Sequence, residues 1–154
     1  SSAERTLLNN PYMKERRARS KSESIILLEP TRVKGKWGKE EPFSANLVPH
    51  KEGRFSAISR ALIRPHLVAS FWRRVPKASQ NLEQFKGHIL SKGIGEYPLF
   101  MQATFSIWES KEDMMDFAYK SPQHMEVIKM TREKNWFVED MYIEFNVLDI
   151  MEDI

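Results

Sequence analysis

The stretch Gly93-Ile-Gly-Glu-Tyr-Pro-Leu-Phe-Met-Gln-Ala-Thr-Phe-Ser-Ile-Trp108 decides the fold. It predicts a strand around 88–97, a turn at 96–98 and a returning strand from Leu99 to Trp108, because alternating apolar residues are typical of a half-buried strand. The odd positions of the second strand are apolar, and the even positions mix polar and aromatic side chains. One face of this strand should therefore take helices, and the other a partner sheet or a water-filled cavity. The odd positions are Met101, Ala103, Phe105 and Ile107, and the even positions are Gln102, Thr104, Ser106 and Trp108.

Upstream of this hairpin the chain predicts a strand followed by helices. Arg54 to Ile63 alternates between two faces, with Phe55 on one face and Arg60 on the other. Pro65 suits the first position of a helix, and apolar residues follow at helical spacing as far as Pro76. A second short helix should end at about Phe85.

Downstream of the hairpin, two capped helices and a closing strand are predicted. Ser110 precedes acidic residues, which favours a helix start, and Ser121 with Pro122 restarts the helix. Val138 to Leu148 alternates as a strand. The order strand, helix, strand, strand, helix, strand predicts an α+β fold, the ferredoxin-like βαββαβ unit, over residues 54–149.

The N-terminal part contains only a fragment of such a unit. Residues 10–23 favour a helix, and Ile25 to Leu28 form a short apolar strand pattern that Glu29-Pro30 ends. Residues 31–53 have no sustained period and are interpreted as a linker loop. Because a helix followed by a strand matches the last two elements of the unit, residues 10–30 are interpreted as the helix-strand remnant of a first copy. The chain is expected to begin partway through that copy.

Composition narrows the function classes. With 154 residues, 24 Lys and Arg against 21 Asp and Glu, and a net charge of +3, the chain has no long basic stripe, so no nucleic-acid partner is expected. The absence of cysteine excludes disulfides, thiolate catalysis and cysteine-ligated metal centres. No run approaches the roughly 18 apolar residues of a membrane span. A cytoplasmic protein without a membrane span is expected, with peripheral membrane contact left open.

One histidine is placed differently from the others. His124, Val127, Ile128 and Thr131 recur at helical spacing, so His124 shares a face with core aliphatic residues. Two interpretations stay open at this point: a structural core histidine, or an axial ligand of an iron porphyrin, which needs one imidazole nitrogen. The three histidines expected to be ordinary surface residues are His50, His66 and His88.

Several separated motifs, in a fixed order, resemble the spheroidene monooxygenase family. They are Arg60-Ala-Leu-Ile-Arg-Pro, Phe71-Trp-Arg-Arg-Val-Pro, Gly93-Ile-Gly-Glu-Tyr-Pro, Gln102-Ala-Thr-Phe-Ser-Ile-Trp, Phe117-Ala-Tyr, His124 and Asn135-Trp-Phe-Val-Glu. The resemblance covers about Asn10 to Leu148. A looser likeness is to the dimeric α+β barrel superfamily, in which paired ferredoxin-like units pack sheet to sheet. The resemblance implies a haem-dependent oxidation of a carotenoid or similar apolar substrate, using dioxygen and an electron donor, in a homo-oligomer formed through the sheet face.

The resemblance also implies a candidate site. His124 is expected to be the iron ligand, and arginines suit haem propionates because their planar fork matches a carboxylate. The cofactor-binding candidates are His124, Arg60, Arg64, Arg73 and Phe105, with His124 as the metal ligand. The catalytic candidates are Gln102, in a distal cavity, and Glu96, in proton delivery. Two alternative interpretations also stay open: that Gln102, Thr104 and Trp108 face a partner sheet, and that the arginines form ion pairs with Glu96 and Glu144.

The paired glycines Gly93 and Gly95 do not form a phosphate-binding loop, because the third glycine of that motif is missing. They indicate a bulge or a close approach of the backbone, such as to a flat ligand.

Two other function classes are compatible with the sequence. A non-catalytic ferredoxin-like binding or assembly module would pair through its exposed sheet face and carry no chromophore. A cofactor-free monooxygenase would oxidise an activated phenolic substrate without metal.

Overall fold

The computed structural model describes Thr6, residues 9–39, Phe43, and residues 46–74, 82–97 and 99–152. The helices are α1 (Pro11–Arg19), α2 (Val68–Trp72), α3 (Lys111–Lys120) and α4 (Pro122–Lys134), and short 3-10 turns span Pro65–Leu67 and Leu82–Gln84. The strands are β1 (Ser24–Gly35), β2 (Phe55–Ile63), β3 (His88–Tyr97), β4 (Met101–Trp108) and β5 (Phe137–Glu152). The predicted α+β ferredoxin-like order is confirmed. Val75, Pro76 and Pro98, which carried parts of the helix and turn predictions, lie outside the described residues.

The strands form a five-stranded sheet in the order β1-β5-β2-β4-β3. The central strand β2 pairs antiparallel with β4 and β5, and β3 pairs antiparallel with β4. Ser59 of β2 lies opposite Thr104 and Tyr142, and Gly93 lies opposite Thr104. Directly opposed residues share a face of a sheet. Gly93, Thr104, Ser59 and Tyr142 therefore form one row across four strands, called the floor row below.

Helices cover the face that carries the floor row, and they do so in two separate clusters. The first cluster packs Phe55 and Trp108 against Met114 and Phe117 of α3. The second cluster contains Ile63, Phe71 and Trp136, and residues of α2 and α4 pack against it. Along β2 the order is Phe55 and Ala57, then Ser59, then Ala61 and Ile63, so the floor row lies between the two clusters. The even positions of β4 thus lie on the helix-bearing face, which leaves the cavity interpretation of these positions open and does not favour the partner-sheet alternative.

The opposite face of the sheet carries the apolar odd positions of β4. At β5, Met141, Ile143 and Phe145 pack with residues that include Trp37 and Ile58. Towards β3 the cover is thinner: Ile94 is 49% exposed, and Met101, Ala103 and Phe105 are only half-buried. This half of the helix-free face is mostly apolar and partly open, with the exposed Lys92 opposite Phe105.

Strand β1 continues through Gly35, although the sequence predicts an end at Pro30 and a loop from residue 31. Proline is tolerated because β1 is an edge strand, where an amide that faces outward need not donate. Beyond the strand, the amide of Lys36 donates to the carbonyl oxygen of Asp140 over 3.0 Å. Gly35 has a φ of +89°, and a Cβ there would lie 2.1 Å from that same oxygen, so only glycine fits. Pairing with a distant strand therefore overrides the local signal.

The chain forms two compact units: residues 28–147, and residues 1–27 together with 148–154. The smaller unit contains α1, where the side chain of Asn10 caps the helix by accepting the amide of Tyr12 over 2.9 Å. Arg17, in the last turn of that helix, forms an ion pair with Glu23, which follows the helix. The larger unit contains α2, α3 and α4 and the central strand β2. The predicted boundaries at residues 30, 53 and 149 stay a prediction.

Candidate functional site

Ser121 sets the position of His124. This serine is 1% exposed and lies where α3 ends and α4 begins. Its Oγ accepts the backbone N–H of His124 over 3.3 Å, and Pro122 occupies the first helical position. A serine cap followed by proline fixes the start of a helix, because the hydroxyl satisfies a free amide and proline needs none. His124 is therefore held in the first turn of α4.

The imidazole of His124 is half-buried against Phe117, with ring centroids 4.7 Å apart and planes tilted by 44°. Burial lowers the pKa of His124 below its ordinary value, because a charged ring would lose hydration. Its ring nitrogens form no hydrogen bond with any residue that the structure describes. The ring is thus a neutral imidazole with its donor atoms uncommitted, the form that binds a metal or accepts a proton.

Tyr142 lies near this part of the helix-covered face. Its hydroxyl donates to the sulfur of Met114 over 3.7 Å. Burial, reinforced by the negative charge of Glu144, raises the pKa of Tyr142 far above its ordinary value. Tyr142 therefore stays protonated at physiological pH and can donate a hydrogen bond, but it cannot serve as a base.

The floor row is open at its centre. Ser59 belongs to the central strand of the sheet, yet its side chain is exposed, as is that of Thr104. In the next row Gln102 lies opposite Ala61 and Gly95. The catalytic candidate Gln102 is therefore on the same side of the sheet as His124. The side chain of Glu96, the other catalytic candidate, lies outside the described part of the structure.

Arg60 lies on the helix-free face, as its alternation with Phe55 predicts. It is 3% exposed, and its Nη1 donates to Glu139 over 2.6 Å. Its guanidinium lies 4.7 Å from the ring centroid of Trp37. The pKa of Glu139 is lowered, first by the backbone N–H of Gly38 and then by Arg60. The buried Arg60 thus pairs with a half-buried carboxylate on the face away from His124.

Phe105 shares that face with Arg60. It lies opposite Ile58, whereas Arg60 lies opposite Ala103, the residue two positions before Phe105. The structure therefore does not bring Arg60 and Phe105 to the side of the sheet that carries His124. Their cofactor-binding roles stay predictions.

The other two arginines lie on the helix-bearing side. Arg64 donates through Nε to the carbonyl oxygen of Asn135 over 2.9 Å, just after α4. Arg73 ends α2 with an exposed side chain, and its neighbour Arg74 pairs with Glu126 of α4 over 3.6 Å. The basic end of α2 therefore lies beside the helix that carries His124.

Two features of this site were not singled out from the sequence: the exposed Ser59 at the centre of the floor row and the contact of Phe117 with His124. Ser59 looks like a core position, because it alternates in step with Phe55 and Ala57. Its exposure follows from a gap between helices, for which a local pattern gives no signal. The spacing of Phe117 and His124 spans a helix junction, so only the angle between α3 and α4 brings the rings together.

The described residues contain no group of three or more His, Asp or Glu side chains placed to hold a metal ion. None of their helices is long and apolar enough to cross a membrane.

Known structures show which class of fold this is. A candidate monooxygenase from Fusobacterium nucleatum superposes with a TM-score of 0.58 at 12% identity, covering 92% of this chain and 62% of that one. A candidate antibiotic biosynthesis monooxygenase from Nitrosomonas europaea superposes with a TM-score of 0.54 at 7% identity, covering 65% of this chain and 94% of that one. At these identities the likeness shows the fold alone, which is the α+β ferredoxin-like fold.

Sequence relatives identify the family. The spheroidene monooxygenase of Rhodobacter capsulatus is 37% identical over 142 residues, which cover 91% of this chain and 59% of that protein. The spheroidene monooxygenase of Cereibacter sphaeroides is 37% identical over 125 residues, which cover 80% of this chain and 38% of that protein. The chain belongs to the spheroidene monooxygenase family, and residues 68–148 match the family described as a domain of unknown function, DUF3291. The chain spans less than two thirds of the length of these relatives.

Proposed function

We propose that this chain acts in a haem-dependent monooxygenase that uses dioxygen and an electron donor to oxidise a carotenoid or a similarly apolar substrate. The names of the relatives support the reaction and the substrate class. One structural observation carries the cofactor proposal: His124 presents a half-buried, neutral imidazole whose nitrogens are not bonded to the described residues.

The residues around His124 fit a porphyrin in three respects. An imidazole is a common axial donor to haem iron. Apart from Tyr142 at one end, the floor row consists of a glycine and the short side chains of Thr104 and Ser59, so the sheet presents a shallow surface on the same side. Arg73 is exposed at the end of α2 beside α4, where a propionate could reach its guanidinium. Arg60 is already committed to Glu139 and Trp37 on the other face and is not needed for this fit.

When bound, haem would supply the activation of dioxygen, and the chain would supply position and environment. His124 would hold the iron, and the packing of Phe117 against its ring would fix the orientation of the imidazole. Gln102 and Thr104 would offer hydrogen bonds on the same side of the sheet. The two apolar clusters on either side of the floor row would limit the access of water.

The test is reconstitution with haemin, followed by absorbance in the Soret region. His124→Ala should lose the Soret band of the bound form, whereas His66→Ala, which removes an exposed histidine, should keep it. Equal spectra for the wild type and His124→Ala would reject the ligand assignment. Oxidation that continues after iron is removed would instead favour a cofactor-free monooxygenase.

We also propose that the open half of the helix-free face joins two copies. Ile94 is 49% exposed beside Met101, Ala103 and Phe105, and apolar patches of this kind are typical of protein interfaces. Ile94→Arg should shift the protein to the monomer in sedimentation velocity, while Lys92→Arg on the same strand should not. An oligomer that is unchanged in Ile94→Arg would reject this interface.

A further inference from the structure

Strand β3 contains two glycines on one face, Gly93 and Gly95, and both are exposed. Glycine weakens a strand, since it loses more conformational freedom on folding and offers no side chain to pack. Such residues are usually explained by a positive φ, a close approach of the backbone or a bulge. The irregular register between Gly95 and Tyr97 could account for Gly95, but not for Gly93.

None of these explanations applies to Gly93. Its φ is not positive, and a Cβ at either glycine would meet no atom of the described residues within 4 Å. Gly87 shows the contrast, because a Cβ there would lie 2.3 Å from the carboxylate of Asp113. The space above Gly93 is therefore not filled by the neighbours that the structure describes.

The register places this space on the helix-bearing face. Gly93 is in the floor row with Thr104 and Ser59, and Gly95 is opposite Gln102 in the next row. The two glycines lie about 7 Å apart along the strand, from the usual rise per residue. Together they form a flat strip of backbone beside two polar side chains, and the exposed Ser59 extends it towards the centre of the sheet.

We infer that Gly93 and Gly95 form the surface on which the flat, conjugated part of the apolar substrate lies. A planar hydrocarbon can contact peptide planes and Cα atoms closely only where no Cβ rises from the strand. The inference rests on the proposed function for the class of the substrate. It does not depend on His124 as the iron ligand.

The experiment measures the binding of detergent-solubilised spheroidene through the circular dichroism that binding induces in its visible absorption band. Gly93→Val should weaken binding by about tenfold or more, because two methyl groups would occupy the strip. Gly93→Ala, which adds only Cβ, should weaken it less. Leu90→Val is the matched control, since it places a valine on the other face of the same strand, and it should bind like the wild type.

Stability separates a blocked site from a damaged fold. Valine is a better strand residue than glycine and would enter open space, so the Tm of Gly93→Val should equal or exceed that of the wild type. Unchanged affinity in Gly93→Val, or no binding to the wild type, would overturn the inference. A lowered Tm in both Gly93→Val and Gly93→Ala would overturn it too, since the space would then have a structural role.

The two proposals fail differently. If Gly93→Val binds spheroidene normally while His124→Ala loses haem, the substrate-binding role of the strip is refuted and the proposed function stands. If no haem binds and no oxidation occurs, yet binding still falls in Gly93→Val, the strip stands and the haem proposal is refuted.

Discussion

The imidazole of His124 packs on the ring of Phe117, with 4.7 Å between the ring centroids. Phe117 in turn contacts Trp108 at 5.4 Å and Phe85 at 5.0 Å. The His124 ring therefore packs against the first cluster, so protonation of the imidazole would disturb the packing of these buried aromatic side chains.

Acid should destabilise the protein through His124. Because burial lowers its pKa in the folded state, the unfolded chain takes up a proton near the ordinary pKa of about 6.5 while the folded chain does not. The free energy of unfolding should fall as the pH drops below that value. His124→Gln cannot take up this proton, so its stability should depend less on pH. Urea unfolding at about pH 8 and about pH 5 measures how the free energy of unfolding changes with pH. An equal change in the wild type and in His124→Gln would contradict the prediction. His88, whose pKa burial also lowers, is present in both.

Replacing Ser121 by alanine should cost about 1 to 2 kcal/mol of unfolding free energy, because the N–H of His124 would lose its cap in a buried place. Ser121→Thr should lose less, since its hydroxyl can accept the same N–H without a buried charge. The comparison variant is Ser110→Ala, which removes the cap of α3, where Ser110 accepts the N–H of Asp113 over 3.1 Å. Only Ser121→Ala should also alter haem affinity. Equal affinities in the two variants would show that the cap does not orient His124.

Arg60→Lys should destabilise the protein by about 1 to 2 kcal/mol, although the charge is kept. Lysine has no planar guanidinium, so it cannot stack on Trp37 and donate to Glu139 at the same time. Arg73→Lys, at an exposed position, should change the unfolding free energy by less than about 0.5 kcal/mol. Chemical denaturation followed by tryptophan fluorescence would measure both; a silent Arg60→Lys would contradict the role of the stacked arginine.

Asn146 anchors the segment before β2. Its Oδ1 accepts the amide of Lys51 over 3.0 Å, and its Nδ2 donates to the carbonyl of Pro49 over 3.1 Å. The side chain is 3% exposed, so Asn146→Ala should cost about 2 to 3 kcal/mol and expose residues 46–51 to proteolysis. Asn46→Ala, at an exposed residue of the same segment, serves as the control. Equal cleavage rates in both variants would refute the anchor.

Patterns that report burial directly could be read from the sequence. The alternation in Arg54 to Ile63 predicted both the strand and the placement of Arg60 away from Phe55. The two serine caps were also predictable, because a cap is formed by residues three apart along the chain.

Features that depend on distant pairing could not be predicted. Both rows of β4 contain large apolar residues, so only its pairing with β2 and the packing of α3 on Trp108 decide which row faces helices. The partner of Arg60 lies 79 residues away along the chain, and no local signal points to it. The same reason explains why the candidate site was predicted as one group, whereas the sheet separates Arg60 and Phe105 from His124.

The helix side of the sheet is packed as two apolar clusters with the exposed Ser59 between them. A molecule bound over Ser59 would contact both clusters and would stabilise them together. Ligand-free protein should therefore exchange the amide hydrogens of central β2 faster than its position in the sheet would suggest, and occupancy should slow that exchange and raise the melting temperature together.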